Sequence, residues 1–265
     1  GRWGLNQRRG GMPDSMPAPL AGVALAAGAG TRLHPLTLLR PKPLCPVGDR
    51  PLLEWALDAL VPATPEVAVN VHHDREQLEE LLSSSRHPVH VSVEHDRPLG
   101  TAGAIGHLRD WLGGRGALVV NSDTWHDADL RRFVRGWDGE RVRVLTTTRG
   151  PFGPGSSVVA SIVPWWAAQR LDAEPAGLWE ALWGAEVEAG RLETVHHAGT
   201  AIDCGTPADY LRANLAWSGG APVVGEGATV EGTLVRSVVW PGSHVGPTEV
   251  LVDAIRAGSR TVLVR

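Results

Sequence analysis

The sequence predicts an α/β fold in which a mostly parallel, Rossmann-like sheet carries helices on both faces, followed by a short β-helix-like extension. In the first half of the chain, short apolar runs typical of buried strands alternate with segments of helical spacing. From about Gly219 the composition changes to Gly, Val and Pro, and apolar residues recur at six-residue intervals. The first pattern predicts the sheet and its helices, and the second predicts the extension.

Composition excludes several classes of protein. The 265 residues carry 25 basic and 29 acidic side chains without a long basic run, so we expect no nucleic-acid partner. No apolar stretch approaches the roughly 20 residues of a membrane span and no signal peptide is evident, so we expect no membrane partner. Two cysteines, Cys45 and Cys204, are too few for a disulfide framework, which favours a reduced, cytoplasmic location.

Apolar periodicity places the individual elements and divides the chain into three parts. Residues 1–19 show no period and are expected to form a disordered tail, residues 20–218 the α/β domain, and residues 219–265 the extension. Trp179 and Trp183 have helical spacing and are expected to face the core, with stacking on a sugar as the alternative. The predicted strands cover residues 21–27, 67–71, 89–94, 117–121, 141–147 and 157–163. The predicted helices cover residues 51–60, 75–82, 102–112, 165–171, 178–188 and 207–217.

The extension has the spacing of a parallel β-helix. Val224 and Val230 are six residues apart, and Val239, Val245 and Leu251 repeat that interval. About two coils fit, fewer than a free-standing solenoid needs, so these apolar side chains are expected to face the helix at 207–217 or a second subunit. An ordinary hairpin meander is the alternative.

A glycine turn after the first strand is the strongest chemical signal. Gly28 and Gly30 are followed at once by Thr31 and Arg32, which suits a loop whose backbone N–H groups surround phosphate oxygens. Lys42, the only lysine beside 24 arginines, follows between two prolines that stiffen its loop. A plain tight turn and a dinucleotide-binding loop are alternatives, although the latter requires a third glycine where Leu33 stands. A triphosphate cradle is the favoured interpretation.

The segment 25–47 resembles the signature of sugar-1-phosphate nucleotidylyltransferases, L-A-G-G-x-G-T-R-L followed by P-K-P-L-x-P-V, with Ala27 replacing one glycine. The segment 99–103, Leu-Gly-Thr-Ala-Gly, resembles that family's base-pocket loop, with Glu94 ahead of it on a strand. The run 121–123 resembles the family's G-D motif, with Ser122 for glycine, and 203–207 resembles its D-x-G-T motif. The Gly-rich end resembles the truncated left-handed β-helix of guanylyl- and adenylyltransferase members.

This resemblance implies a nucleotide-diphospho-sugar transferase fold over 20–218 and transfer of a nucleotidyl group from an NTP to a sugar-1-phosphate. It implies that Asp123 and Asp203 hold Mg²⁺, that Arg32 stabilises the transferring phosphorus, and that Lys42 holds the triphosphate. Arg32, Lys42 and Asp123 are thus the implied catalytic residues. The implied nucleotide-binding residues are Leu25, Ala26, Ala27, Gly28, Gly30, Thr31, Arg32, Lys42, Glu94, Gly100, Thr101 and Asn121.

The substrates and one motif stay open. GTP with mannose-1-phosphate is narrowly favoured, and the run from Asn121 to Trp125 keeps UTP with an amino-sugar or N-acetylmuramate 1-phosphate as the alternative. The family's E-K-P motif, whose lysine grips the sugar phosphate, is missing, so Arg149 and Asp203 are the candidates for that phosphate. Its absence also favours a second hypothesis, a catalytically weak NDP-sugar-sensing paralogue. A homodimer is an open expectation.

Overall fold

A seven-stranded mixed sheet forms the centre of the protein in the computed structural model, which describes residues 19–72 and 74–265. Four adjacent strands run parallel, and a fifth runs antiparallel to both of its neighbours. The predicted mostly parallel sheet is therefore confirmed, with one reversed strand that periodicity cannot reveal. In spatial order the strands are β10 (Glu193–His196), β8 (Arg143–Thr146), the reversed β9 (Ala160–Val163), β6 (Gly116–Asn121), β1 (Leu20–Leu25), β4 (Val67–Val71) and β5 (His90–Val93).

Helices cover both faces of this sheet, as predicted. Leu57, Leu78 and Phe133 pack in the core cluster on one face, and Ile105 and Ala168 pack in the cluster on the other. Alternate residues of β1 enter the two clusters, because successive strand side chains point to opposite faces. The helices are α1 (Leu52–Leu60), α2 (Arg75–Ser83), α3 (Gly100–His107), α4 (Arg109–Leu112), α5 (Leu130–Val134), α6 (Trp165–Ala168), α7 (Gly184–Glu188) and α8 (Pro207–Ser218).

Three predicted helices differ from the structure, and the one predicted over 165–171 already ends at Ala168. The helix predicted over 102–112 is interrupted at Leu108, so α3 and α4 are separate. The helix predicted over 178–188 begins as a π-helical turn, Trp179–Trp183, which continues into α7. A π-helical turn widens the backbone spiral, and such turns are frequent at functional sites.

Short elements on the sheet's edge bring distant segments together. β7 (Thr124–His126) pairs antiparallel with β11 (Ala201–Asp203), and this register sets Asp203 opposite Thr124. Three-residue 3₁₀ helices at Thr31–Leu33, Leu36–Leu38 and Lys42–Leu44 carry the chain from β1 to β2 (Pro46–Val47) and β3 (Arg50–Pro51). None of these short elements shows a period in the sequence.

The extension consists of parallel β-coils, which confirms the coil interpretation over the meander. Parallel pairing joins β12 to β15 to β18, β13 to β16, and β14 to β17, so successive coils stack strand on strand. β19 closes the extension as an antiparallel partner of β18. These strands are β12 (Val223–Val224), β13 (Thr229–Val230), β14 (Thr233–Val235), β15 (Val238–Val239), β16 (His244–Val245), β17 (Val250–Val252), β18 (Ala254–Ala257) and β19 (Arg260–Leu263).

The prediction that the six-residue apolar series faces a helix or a second subunit is wrong. Val239, Val245 and Leu251 form their own cluster with Val230 packed against it, because each coil turns these positions towards its own interior. The neighbouring positions make the contact with the rest of the protein. Val238 and Ile255 share a buried core with Tyr210 and Leu211 of α8.

The same core reaches the loop after the glycine turn. Leu33, Leu36 and Val47 are buried in it together with residues of α8 and of the extension. Trp240 of the extension donates a hydrogen bond from Nε1 to the Tyr210 hydroxyl at 2.9 Å, and that hydroxyl donates to the Pro46 carbonyl. A core that crosses residue 219 leaves the division into 20–218 and 219–265 a prediction, and residues 1–18 lie outside the described chain.

Candidate active site

A cavity of about 240 Å³ lies at the carboxyl ends of β1 and β6, where open α/β sheets bind ligands. Gly30 has a φ of +63°, and a Cβ there would stand 2.9 Å from Cβ of Lys42, so the turn and the lysine stem require glycine. Ala27 is buried and Asn121 lies at another cavity, so neither implied ligand residue belongs to this lining. The lining residues are Leu25, Ala26, Gly28, Ala29, Gly30, Thr31, Arg32, Lys42, Pro43, Ser122, Asp123 and Gly205.

Lys42 lies between the two aspartates that the sequence singled out. Its Nζ donates to Asp123 Oδ2 at 3.0 Å and to Asp203 Oδ1 at 3.4 Å. The lysine side chain is only 7% exposed. Burial alone would lower the pKa of Lys42, but the Asp123 and Asp203 carboxylates outweigh burial and raise it, so the ammonium stays charged.

Two strand ends bring these aspartates together. Asp123 follows β6, and Asp203 ends β11, which pairs with β7 immediately beyond Asp123. Cys204 N donates to the Asp123 carbonyl at 2.9 Å and fixes the two turns against each other. Ser122, which stands where the family has glycine, donates its hydroxyl to the Leu25 carbonyl at 2.6 Å and so fastens this turn to β1.

The carboxylates of Asp123 and Asp203 have the ligand chemistry of a site for a hard divalent cation. Mg²⁺ prefers hard oxygen ligands and is commonly held by one or two carboxylates, phosphate oxygens and waters. In the described ranges no cluster of three or more His, Cys, Asp and Glu side chains could hold a metal by itself. Two carboxylates beside a cavity with a glycine turn and two cations match a site in which carboxylates share the ion with phosphate oxygens and waters.

Arg32 is the second cation at this cavity. Its guanidinium lies 3.9 Å from Asp203 Oδ2, and the side chain is 71% exposed. A Cβ on Gly205 would stand 3.0 Å from Arg32 Nη2, so the glycine of the D-x-G-T run leaves room for the guanidinium. Arg32 therefore presents a solvent-exposed guanidinium to the cavity, whereas Lys42 presents a buried ammonium.

A second cavity of about 410 Å³ shares Asp123 with the first. Trp179 and Trp183 of the π-helical turn line it, and both rings contact Phe152 with centroids 6.0 and 5.8 Å away. The expectation that these tryptophans face the core holds in part for Trp183, which packs against the core and also lines this cavity, whereas half-buried Trp179 borders the cavity. The lining residues are Thr101, Asn121, Asp123, Thr124, Ser156, Ser157, Val158, Val159, Gly177, Leu178, Trp179, Glu180, Trp183, Ala201 and Asp203.

No lysine or arginine occurs among the described residues that line the second cavity. Arg149, expected to replace the missing E-K-P lysine, lies in an exposed turn and belongs to neither lining. Lys42 lines only the first cavity, but its ammonium contacts Asp123 and Asp203, which both line the second. Arg149 as a sugar-phosphate ligand stays a prediction.

The loop expected to hold the base packs against the second cavity. Leu178 N donates to Thr101 Oγ1 at 2.8 Å, so Thr101 faces the second cavity and not the first. Gly100 has a φ of +70°, and a Cβ there would stand 2.6 Å from the Ala176 carbonyl oxygen. Glu94 is 3% exposed and lines neither cavity, and a contact between its carboxylate and a nucleotide stays a prediction.

Both cysteines are buried free thiols near this site. Burial raises the pKa of Cys45 and of Cys204 to about 12, which keeps them protonated and unreactive. Within the described chain, no helix has the length and apolar character that crossing a membrane would require.

Comparisons with known proteins show similarity to nucleotidyl transferases. Residues 21–151 match the family model for nucleotidyl transferases. These matches support a place in the sugar-1-phosphate nucleotidylyltransferase family. One relative, N-acetylmuramate alpha-1-phosphate uridylyltransferase of Caulobacter vibrioides, is 36% identical over 48% of this chain and 57% of its own length. Mannose-1-phosphate guanyltransferase of Schizosaccharomyces pombe is 33% identical over 49% of this chain and 38% of its length.

A longer match and a solved structure support the same fold. Mannose-1-phosphate guanyltransferase beta-A of Xenopus laevis is 27% identical over 71% of this chain and 62% of its own length. The chain thus spans between 38% and 62% of these three relatives. A Bacillus anthracis crystal structure, described as a glucose-1-phosphate thymidylyltransferase in complex with sucrose, superposes with a TM-score of 0.60. It is 21% identical, and the match covers 74% of this chain and 94% of that one.

Proposed function

We propose that this nucleotidylyltransferase-family protein transfers a nucleotidyl group from an NTP to a sugar-1-phosphate and releases pyrophosphate. The observation that supports this most strongly is the common wall of the two cavities, which consists of Asp123 with Lys42 buried behind it. The first cavity has the glycine turn and the cations that a triphosphate needs. The second has the aromatic and hydroxyl side chains that suit a sugar.

The reaction needs positioning and charge neutralisation more than proton transfer. An anionic oxygen of the sugar phosphate attacks the α-phosphorus in line, and the bond from that phosphorus to the oxygen bridging to the β-phosphorus breaks. The electron pair of that bond leaves with pyrophosphate. Because the attacking oxygen is already ionised at neutral pH, no side chain is required as a general base.

The charged residues have separate tasks. Lys42 supplies a buried, fixed positive charge beside the reacting phosphates, and Arg32 supplies an exposed one that reaches the leaving pyrophosphate. Mg²⁺ held by Asp123 and Asp203 would neutralise charge on the α-phosphate and the sugar phosphate. Since the second cavity has no cation of its own among the described residues, the shared wall must also serve the sugar phosphate.

GTP with mannose-1-phosphate is the first substrate pair that we propose, supported by the run 99–103 and by the coiled extension. UTP with N-acetylmuramate 1-phosphate is the second. It is supported by the run from Asn121 to Trp125 and by the apolar wall of Trp179 and Trp183, which suits a bulky sugar substituent. The relatives include enzymes named for each of the two reactions.

Trp179 is expected to act on the sugar side only. Replacing it with alanine removes an aromatic face from the second cavity and should raise the KM for the sugar phosphate about tenfold, with the KM for the NTP unchanged. Trp179→Phe should retain most of the affinity because it keeps an aromatic face. Trp166→Ala, a tryptophan on α6 that lines neither cavity, is the matched control. An equal rise in both KM values for Trp179→Ala would contradict this placement.

A substrate panel tests the proposed function. Four NTPs are combined with mannose, glucose, N-acetylglucosamine and N-acetylmuramate 1-phosphates, and NDP-sugar is measured by chromatography with Mg²⁺ present. One pair should dominate and yield NDP-sugar and pyrophosphate in equal amounts. If no pair reacts but an NDP-sugar binds, the regulatory paralogue is the better assignment and the catalytic proposal fails.

A further inference from the structure

A chain of three hydrogen bonds, two of them buried and the third partly buried, connects the glycine turn to the start of α3. Ala26 N donates to Asn70 Oδ1 at 2.7 Å, and Asn70 Nδ2 donates to Glu94 Oε2 at 2.9 Å. At the far end, Leu99 N donates to Glu94 Oε1 at 2.8 Å. We call these two side chains, Asn70 and Glu94, the relay. Each is only 3% exposed.

The relay spans the distance between two substrate-facing segments. Ala26 lines the first cavity, at the start of the glycine turn. Leu99 immediately precedes Gly100 and Thr101, which open α3 in the run that resembles a base-pocket loop. Asn70 and Glu94 stand at the ends of β4 and β5, so three neighbouring strand ends and one helix start are joined at one edge of the sheet.

The order of donors and acceptors in the relay is fixed at both ends. Backbone N–H groups can only donate, so Ala26 and Leu99 each require an oxygen opposite them. Counted from Ala26 to Leu99, the relay presents an acceptor and a donor on Asn70 (Oδ1, Nδ2) and then two acceptors on Glu94 (Oε2, Oε1). An amide at 70 followed by a carboxylate at 94 meets that order, and the backbone also fixes which way the Asn70 amide points.

Asn70 and Glu94 are buried and line neither of the two cavities, so in this structure they contact the segments that do. A buried polar group left without its partner is costly, so the relay strongly favours one spacing between the segments at its ends. We propose that Asn70 and Glu94 are positioning residues that set the spacing between the triphosphate turn and the base-facing loop, and thereby the affinity for NTPs and the choice among them. This inference rests on the proposed function.

Three variants test the donor order. Glu94→Gln alone places one donor against another wherever the amide turns, and Asn70→Asp alone places two carboxylates against each other. In the double variant Asn70→Asp/Glu94→Gln, the carboxylate at 70 offers two acceptors, and the amide at 94 offers one donor and one acceptor. The amide donates to the carboxylate, and each backbone N–H again faces an oxygen. The double variant also keeps the net charge of the wild type.

Each single variant is expected to raise the KM or Kd for the preferred NTP about 5- to 100-fold and to reduce its preference over the other three NTPs. The KM for the sugar phosphate should not change. The double variant should return both the NTP affinity and the preference to within about threefold of the wild type, a reversal that separate structural defects would not produce. If a single variant fails to fold, the NTP affinity and preference of the folded double variant are compared directly with those of the wild type.

Thr64→Val is the matched control for lost stability. The Thr64 hydroxyl donates to the Leu60 carbonyl, and Thr64 is buried. It precedes β4, so it lies at the amino end of that strand, away from Asn70 and Glu94. Thr64→Val should lower the melting temperature without changing the order of preference among NTPs.

NTP binding is measured by calorimetry as well as by turnover, so the two proposals can fail separately. If the wild type binds NTPs and the single variants keep its affinity and preference, or the double variant restores neither, the relay is overturned and the proposed function stands. If the wild type binds no NTP, both are overturned.

Discussion

Lys42→Arg is expected to lower kcat/KM by about 10- to 1000-fold although the charge is kept, the size of loss seen when one preorganised charge-stabilising group is removed. The ammonium occupies a closed position, 7% exposed, at hydrogen-bonding distance from both Asp123 and Asp203. A planar guanidinium is wider than an ammonium and cannot take this buried position between the two carboxylates without displacing its neighbours. Steady-state pyrophosphate release measures the effect.

Arg236→Lys is the control for exchanging one cation for another. Arg236 forms an exposed ion pair with Asp253 on the extension, and exposed pairs contribute little, so its turnover should match the wild type. Circular dichroism and the melting temperature establish that Lys42→Arg is folded. Turnover of folded Lys42→Arg near the wild-type value would show that a guanidinium serves as well as an ammonium at this position.

Asp123→Asn is expected to abolish Mg²⁺-dependent turnover, a loss of about 100-fold or more in kcat, while the fold survives. The amide is nearly the same size as the carboxylate, but it lacks the charge on which a site with few protein ligands depends. It also removes one of the two carboxylates that contact Lys42. A titration of pyrophosphate release with Mg²⁺ measures both the rate and the metal concentration required.

The charge-matched control is Asp253→Asn, which removes an exposed carboxylate on the extension. Its Mg²⁺ titration should coincide with that of the wild type. Asp123 would have to be withdrawn as a ligand if the Asp123→Asn variant kept both its rate and its Mg²⁺ requirement.

Much of the fold could be predicted because burial leaves a period in the sequence. The strand at Val67–Val71 and the core-facing leucines of α1 follow directly from apolar spacing. Strand direction leaves no such trace, so the reversal of β9 could not be predicted. In the extension, the six-residue series predicted the coils correctly but not which way each side chain faces, since that depends on how the coil closes.

The residues of the candidate site could be predicted where they stand in motifs, but the strand pairing that brings them together could not. Lys42, Asp123 and Asp203 come together because β7 pairs with β11, and neither strand is long enough to show a period. Trp179 and Trp183 have helical spacing, which favoured a position in the core, whereas in the π-helical turn both side chains line the second cavity. Asn70 did leave a signal: it is the one polar residue in the otherwise apolar strand Val67–Val71, and a buried amide requires partners.

The most direct test of the account follows the α-phosphate through one turnover. With NTP labelled at the α-phosphorus, the best sugar phosphate of the panel and Mg²⁺, all of the consumed label should appear in NDP-sugar, matched by an equal amount of pyrophosphate. Asp123→Asn should leave the label in NTP. Label recovered in NDP together with orthophosphate would show cleavage between the β- and γ-phosphates, and would contradict nucleotidyl transfer at this site.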